Sequence, residues 1–176
     1  MKFKESPIKG VFIIELEKHE DERGFFARTF CRKEFENAGL PDNIVQANVS
    51  FNKKKGTIRG MHYQKEPWQE TKIVSCYVGA IYDVVIDLRR DSGTFCHWFG
   101  ICLSESNYKS LFIPKGFAHG FQTLQDNALI HYQMGEYYTP GHAGGVRYND
   151  PAFNISWPLD DITISEKDSR YPDFIK

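Results

Sequence analysis

Hydrophobic and polar residues alternate with a period of two along most of this chain, the pattern of half-buried β-strands. Gly79 and the turn-forming segments 90–94, 114–116, 125–127 and 139–145 separate the alternating runs. These runs predict strands at 11–16, 25–30, 44–51, 57–64, 71–78, 80–88, 97–103, 109–114, 120–124 and 129–138.

Helical periodicity is confined to short segments. "CRKEFENAG" (31–39) predicts one helix, with Phe35 and Leu40 facing the core and Gly39 ending the helix. The polar stretch 165–174 predicts a short helix or a loop. Many short strands without alternating helices favour a sandwich or closed barrel over a parallel α/β sheet. We therefore expect an all-β double-stranded jelly roll with a few short helices.

Composition predicts one globular domain and argues against several classes of function. Hydrophobic residues make up 41% and aromatic residues 15% of the chain, enough for a sizeable core in a single domain over residues 1–176. With 22 basic and 23 acidic residues, the formal charge of −1 provides no positive field for a nucleic-acid backbone. The longest apolar runs are short and interrupted by charge, so we expect no membrane-spanning helix and no signal peptide.

The four cysteines are expected to be reduced thiols. Cys31, Cys76, Cys96 and Cys102 show no CxxC spacing. A chain without an export signal is expected to keep such thiols reduced and mostly buried. We therefore predict a cytoplasmic protein.

The segment "TIRGMHYQ" (57–64) carries two cationic or titratable groups inside a strand pattern. Arg59 and His62 are three residues apart, so on a regular strand they would point to opposite faces. Gly60 lies between them, and a glycine inside a strand often marks a bulge that redirects its neighbours. Either both side chains enter one cavity, or Arg59 faces water while His62 is a satisfied core histidine.

Other polar side chains occupy positions that alternation directs inward. Lys72 shares a face with two apolar neighbours, Tyr132 shares one with Met134, and His119 begins an apolar strand. Each of these residues alone could be structural. Together they predict a barrel lined by cationic and phenolic groups, which is costly to bury unless an anionic ligand lies there.

Motifs for three other kinds of site are absent from the sequence. The histidines include no HxH pair, which argues against a metal-binding jelly roll. No GxSxG elbow indicates a nucleophilic serine. Phosphate-binding loops of the GxxxxGK[ST] or GxGxxG type are also absent.

Nearly the whole chain resembles the dTDP-4-dehydrorhamnose 3,5-epimerases, cofactor-free enzymes of the cupin superfamily. The motifs that carry the resemblance are, in chain order, "DERGFF" (21–26), "QANVS" (46–50), "GTIRGMHYQ" (56–64), "DVVIDLR" (83–89), "IPKGFAHGF" (113–121), "YNDPAFNISWP" (148–158) and "SEKD" (165–168). Their combination and order are specific, although each motif alone is weak.

The resemblance implies a cupin-type jelly roll and a set of catalytic residues. His62 is expected to be the general base, oriented by Asp168, and Tyr132 the acid that returns a proton from the opposite face. Lys72 is expected near the C4 oxygen of the sugar. The implied reaction is epimerisation at C3, C5 or both of a nucleoside-diphosphate 4-keto-6-deoxysugar, in the biosynthesis of deoxysugars and cell-surface polysaccharides such as lipopolysaccharide. It needs no metal and no redox cofactor.

The resemblance also implies residues that hold the substrate, and a homodimer. The apolar strand 11–16 would be an exposed edge in a lone jelly roll, which independently favours a dimer. The expected contacts to the diphosphate or the sugar are Arg23, Arg59, His119 and Lys167, those to the nucleotide are Gln46 and Asn48, and the residues flanking the base are Phe26 and Tyr138.

The chain departs from the family pattern at two positions. The family usually has glutamate where this sequence has Arg28 and Ala143. The first of these glutamates is expected to accept a hydrogen bond from N3 of thymine, whereas arginine offers only donors. Arg28 would instead match the acceptors of cytosine or guanine, so a cytidine- or guanosine-diphosphate sugar is an alternative substrate. A second interpretation is that Arg28 points outward or binds phosphate.

Two other functions remain open from the sequence. One is a non-catalytic jelly roll that binds a sugar nucleotide, although such a protein needs no acid and base on opposite faces. The other is a metal-dependent cupin oxygenase.

Overall fold

The computed structural model describes residues 1–176 and contains fourteen strands and two short helices. The strands are β1 Lys2–Glu5, β2 Phe12–Glu15, β3 His19–Asp21, β4 Gly24–Phe26, β5 Gln46–Asn52, β6 Thr57–Gln64, β7 Lys72–Val78, β8 Ala80–Asp87, β9 Trp98–Ser104, β10 Lys109–Ile113, β11 Phe117–Thr123, β12 Ala128–Met134, β13 Ala143–Gly145 and β14 Thr163–Ile164. The helices are α1 Arg32–Asn37 and α2 Glu166–Ser169. No helix is long and apolar enough to cross a membrane.

The strands form two large sheets and one hairpin. Sheet I has the order β1-β2-β10-β7-β12-β5, and sheet II has the order β13-β6-β11-β8-β9 with β14 beside β6. β3 and β4 form a separate hairpin. All neighbouring strands are antiparallel except β14, which runs parallel to β6. The predicted all-β jelly roll is confirmed.

The core lies between the inner faces of the two sheets. Its buried residues include Val74 and Leu111 from sheet I and Val85 and Phe121 from sheet II. Because side chains alternate across a strand, the residues between these core positions point outward. The outer face of sheet II packs against the C-terminal segment, and α1 covers part of the outer face of sheet I through Phe35.

The helix prediction at 31–39 is confirmed by α1. Phe35 is fully buried and Leu40 nearly so. Gly39 follows the helix with φ +69°, in the left-handed region that glycine adopts without strain. The segment 165–174 contains the short helix α2 followed by an irregular chain.

Several predicted strands have different bounds. Of the run 25–30 only Phe25 and Phe26 lie in a strand, as part of β4, and the run 129–138 ends its strand at Met134, where the chain leaves sheet I to join β13. β13 lies inside the predicted turn 139–145. The proposed exposed edge at 11–16 is wrong, because β2 is paired on both sides, with β1 and with β10.

Candidate active site

A bulge in β6 brings Arg59 and His62 to the same face. His62 pairs with His119 of β11, and Arg59 pairs with Phe121, so three residue steps on β6 oppose two on β11. Gly60 has φ +127°, and a Cβ at this position would lie 2.5 Å from the Cα of Gly120. Only glycine fits here, and the predicted redirection of the strand is confirmed.

His62 is held by a buried carboxylate. Its Nε2 lies 2.8 Å from Oδ1 of Asp168, and the backbone N–H of Gly60 donates to the other carboxylate oxygen at 3.2 Å. Burial acts to raise the pKa of Asp168, but the interactions with His62, together with hydrogen bonds from the Gly60 N–H and Ser165, outweigh it and hold this pKa below its usual value. An ionised carboxylate only accepts hydrogen bonds, so in the neutral imidazole Nε2 carries the proton and Nδ1 of His62 keeps the lone pair.

The short helix α2 positions Asp168. Oγ of Ser165 accepts a hydrogen bond from the backbone N–H of Asp168 at 3.1 Å, which caps the first turn. β14, immediately before the helix, pairs with β6. The C-terminal segment is therefore tied to the same strand that carries His62.

Tyr132 lies across the barrel on sheet I. Its ring meets the ring of His119 edge-on, with 6.2 Å between centroids. Burial raises the pKa of Tyr132, the negative charge of Asp83 raises it further, and Arg59 opposes this shift. The phenol is therefore protonated at neutral pH. Because His119 is paired with His62 on sheet II, the phenol and the imidazole of His62 reach the cavity from opposite sheets.

Lys72 lies on β7, the neighbour of the strand β12 that carries Tyr132. Lys72 pairs with Met134 and Val74 pairs with Tyr132, so the two polar side chains line the same inner surface. Nζ of Lys72 is 2.9 Å from Oε1 of Glu70, and both side chains are buried. An ammonium has three donors, so this ion pair leaves others for a ligand.

The remaining inner-face candidates lie where β5 and β6 approach each other. Nε of Arg59 donates to Oδ1 of Asn52 at 2.6 Å and so joins sheet II to sheet I. Nε2 of Gln46 donates to Oδ1 of Asn48 at 3.2 Å. Asn48 pairs with Tyr132 and therefore faces the same cavity.

Three predicted substrate contacts do not reach this cavity within one chain. Arg23 and Phe26 are on the β3–β4 hairpin, with 84% of the Arg23 side chain and 72% of Phe26 exposed. Arg28 donates to Glu34 of α1 at 2.6 Å. α1 packs on the outer face of sheet I, opposite the face that carries Lys72 and Tyr132, so the sheet separates Arg28 from the site.

Tyr138 and Lys167 lie at the border of the site. Tyr138 is 63% exposed and belongs to the connection from β12 to β13. The backbone of that connection is held by Gln64, whose Nε2 donates to the carbonyl of Tyr137 at 3.1 Å. Lys167 is exposed on α2, next to Asp168.

Sequence reasoning missed three residues that contact the predicted ones. Asp83 is fully buried with Oδ1 2.8 Å from Nε2 of His119, and its other carboxylate oxygen has no partner. An aspartate inside the apolar run 80–88 was a usable signal. Glu70, two residues before Lys72, was another. Tyr171 beside His62 had no such signal, because the polar segment 165–174 has no periodicity.

No three histidine, cysteine, aspartate or glutamate side chains lie close enough together to hold a metal ion. A surface cleft of about 800 Å³ lies elsewhere and contains none of the predicted site residues. Five cationic residues contribute to its lining: Lys9, Lys65, Arg89, Arg90 and Lys115.

The side chains of His62, Asp168, Tyr132 and Lys72 around the cavity are suited to proton transfer. A neutral imidazole with a buried carboxylate partner can accept a proton near pH 7. A protonated phenol can donate one from the other side, and an ammonium can stabilise developing negative charge on an oxygen. This set fits removal and return of a proton at a carbon next to a carbonyl.

Comparison with known proteins identifies the family. A family model described as dTDP-4-dehydrorhamnose 3,5-epimerase matches residues 5–176. The dTDP-4-dehydrorhamnose 3,5-epimerase of Methanothermobacter thermautotrophicus is 42% identical over 173 residues, covering 97% of this chain and 92% of that protein.

Solved structures agree over the whole fold. The Bacillus anthracis dTDP-4-dehydrorhamnose 3,5-epimerase with TDP and PPi bound has a TM-score of 0.95 and 42% identity, covering 98% of this chain and 99% of that one. The Legionella pneumophila 3,5-epimerase in complex with dTDP-4-keto-L-rhamnose has a TM-score of 0.91 and 39% identity, covering 97% of this chain and 90% of that one. The chain therefore belongs to the dTDP-4-dehydrorhamnose 3,5-epimerase family.

Proposed function

We propose that residues 1–176 act as one epimerase domain that inverts C3, C5 or both of a nucleoside-diphosphate 4-keto-6-deoxysugar, in deoxysugar biosynthesis. The observation that carries this proposal is the His62–Asp168 pair, with 2.8 Å between Nε2 and Oδ1, in which His62 lies on sheet II while the Tyr132 phenol reaches the same cavity from sheet I. A binding protein has no need of a base and an acid on opposite sides of its ligand.

His62 is the general base of the proposed reaction. A ketone at C4 acidifies the hydrogens at C3 and C5, because the electron pair left behind delocalises onto the oxygen as an enolate. Nδ1 of His62 takes the proton, and the ionised Asp168 stabilises the imidazolium that forms. Tyr132 returns a proton to the same carbon from the other face, which inverts the centre.

Lys72 stabilises the enolate oxygen. One of its N–H groups is engaged by Glu70, and another donates to the oxygen on C4 as negative charge develops there. A single well-placed donor of this kind is commonly worth about 3 kcal/mol of transition-state stabilisation. The negative charge never rests on carbon alone.

The substrate is held by residues around the cavity and its mouth. His119 and Lys167 contact the sugar or the diphosphate. Arg59, fixed by Asn52 between the two sheets, contacts the diphosphate, and Gln46 and Asn48 bind the nucleotide. Tyr138 flanks the base.

We further propose a homodimer in which the hairpin of one copy completes the site of the other. Val49, Phe51 and Tyr77 are 66%, 52% and 46% exposed. They point outward on the part of sheet I that α1 leaves bare, and Tyr77 stacks on His131 there. In this dimer the β3–β4 hairpin and the segment after it in one copy contact the ligand of the other, which gives Arg23, Phe26 and Arg28 the contacts that they lack in a single chain.

Light scattering at micromolar concentration tests the dimer. We expect twice the chain mass for the unmodified protein and a shift towards monomer for Phe51→Glu, which places a charge in the apolar patch. A monodisperse monomer for the unmodified protein would refute the proposal.

The four free thiols support a cytoplasmic location. Cys31, Cys76, Cys96 and Cys102 form no disulfide. Burial raises the pKa of Cys76 to about 12, so this thiol is inert at neutral pH. The expectation of mostly buried thiols is wrong, because only Cys76 is buried, while Cys31 and Cys96 are half-buried and Cys102 is exposed. Unpaired thiols are usual in a reducing compartment.

Solvent exchange tests the activity directly. The protein is incubated in deuterium oxide with 4-keto-6-deoxysugars carrying thymidine, cytidine or guanosine diphosphate, and NMR follows hydrogen loss at C3 and C5. We expect exchange at one or both carbons, and a loss of about 10²–10⁴-fold in His62→Ala with nucleotide affinity nearly unchanged. Binding without exchange would indicate a sugar-nucleotide binder, and exchange that requires added metal would indicate a metal-dependent cupin.

A further inference from the structure

Tyr171 contacts the proposed base although no motif includes it. Its ring is edge-on to the imidazole of His62, with 6.3 Å between centroids and an interplanar angle of 72°. Tyr171 follows Asp168 by three residues, after α2 has ended. The two side chains that touch His62 from the C-terminal segment therefore belong to one short stretch of chain.

Gly145 leaves the space that the Tyr171 ring fills. Gly145 is paired directly with His62 across β13 and β6. Residues paired in this way point to the same face of a sheet. A Cβ at position 145 would overlap the Tyr171 ring and lie 2.8 Å from the carbonyl oxygen of Met61. The ring thus occupies the side-chain position next to His62 at the open edge of sheet II.

Asp168 and Tyr171 restrain the imidazole in different ways. The carboxylate of Asp168 fixes Nε2 at one point, which leaves the plane of the ring free to tilt about that contact. The Tyr171 ring contacts the imidazole from the side and restricts this tilt. Burial raises the pKa of Tyr171, and the nearby Lys167 opposes this shift, so the phenol is neutral where it meets His62.

We infer that Tyr171 is a positioning residue for the base: seated in the space left by Gly145, its ring holds the imidazole of His62 in the plane that proton transfer requires. This inference rests on the proposed epimerase activity for its kinetic consequence. A base displaced by about 1 Å can lose about 10²-fold in rate, because proton transfer needs hydrogen-bond distance and alignment.

The kinetic test compares Tyr171→Ala with Gly145→Ala and with the double variant. We expect Tyr171→Ala to lower kcat about 10–100-fold with little change in KM. Gly145→Ala should lower kcat in the same way, because its methyl group displaces the ring. In the double variant the methyl group no longer meets the ring and keeps only its contact with the carbonyl oxygen of Met61, so the combined loss in kcat should be smaller than the product of the two single losses. Tyr171→Phe retains the ring and should restore most of kcat.

Tyr82 provides a matched control. It lies on the outer face of sheet II, against Trp157, and a Cβ at Gly100 would overlap its ring. Tyr82→Ala therefore removes a tyrosine packed over a glycine, as Tyr171→Ala does, but away from His62. We expect a lower Tm for both variants and an unchanged kcat only for Tyr82→Ala.

A measurement without substrate separates this inference from the proposed function. NMR of the His62 ring protons reports the neighbouring aromatic ring, so their shifts should change in Tyr171→Ala and remain in Tyr171→Phe. If the unmodified protein exchanges no substrate hydrogen, the proposed function is wrong. The NMR comparison then still shows whether the Tyr171 ring contacts the imidazole of His62. An unchanged kcat in Tyr171→Ala, a rise in KM alone, additive effects with Gly145→Ala, or unchanged His62 shifts would each overturn the inference.

Discussion

Replacing Asp168 by asparagine removes the charge beside His62 while keeping the shape of the side chain. In the native protein the carboxylate accepts from Nε2 of His62 and from the N–H of Gly60. A hydrogen bond between two charged groups contributes about 1.5–3 kcal/mol, and Asp168→Asn removes that stabilisation from the imidazolium of the transition state. This loss alone corresponds to about 10- to 150-fold in kcat.

A second effect of Asp168→Asn increases this loss. If the asparagine NH₂ faces His62, it donates to Nε2 and drives the imidazole proton onto Nδ1, which removes the lone pair from the cavity. The total expected decrease in the rate of solvent exchange is therefore about 10²–10⁴-fold. Nucleoside-diphosphate affinity should be nearly unchanged, because the carboxylate faces His62 and not the ligand.

Asp87→Asn is the matched control for this prediction. Asp87 is also a buried carboxylate, but it binds Arg89, Ser92 and Thr94 at a turn outside the site. Exchange rates are measured by NMR in deuterium oxide for both variants, after circular dichroism has confirmed folding. Wild-type exchange in folded Asp168→Asn, or an equal loss in Asp87→Asn, would refute the role given to the His62–Asp168 pair.

Three further predictions concern other residues. Tyr132→Phe keeps the ring but cannot donate a proton, so exchange should persist at C3 or C5 while net inversion drops sharply; equal loss of both, measured by NMR, would contradict the acid role. Arg28 presents only donors, and an unpaired buried donor opposite N3–H of thymine costs about 1–3 kcal/mol. Calorimetry should therefore show tighter binding of cytidine or guanosine diphosphate than of thymidine diphosphate. Arg28→Glu should reverse this order. Tightest binding of thymidine diphosphate by the unmodified protein would show that Arg28 does not contact the base. Burial acts to raise the pKa of Asp87, but the hydrogen bonds from Arg89 and its neighbours lower it from 3.8 to about 2. A carboxyl group whose pKa is lower in the folded protein stabilises the fold at pH values above its pKa in the unfolded chain. We therefore expect the free energy of unfolding to fall by about 2 kcal/mol as the pH falls from about 4 to 2. Chemical denaturation of Asp87→Asn should show lower stability at pH 7 and a weaker dependence on pH in this window.

Alternation along the chain predicted an all-β sandwich or barrel and the inward direction of Lys72 and Tyr132. Side chains on a strand change face at every residue, so a run of alternating polarity determines which residues meet the core before any partner strand is known. The bulge at Gly60 was also predictable, since a glycine in the interior of a strand often marks a bulge or a close approach of two backbones. The same local rules predicted α1.

Contacts between distant segments were decided only by the tertiary structure. Period two says nothing about which strand flanks which, so the edge assigned to 11–16 was wrong once β1 paired with β2. The family resemblance supplied Asp168 as the partner of His62, but the neighbouring Tyr171 lies in a segment without periodicity and had no signal at all. Its position depends on β14 pairing with β6 and on the absence of a side chain at Gly145, two conditions set by packing between residues far apart in the chain.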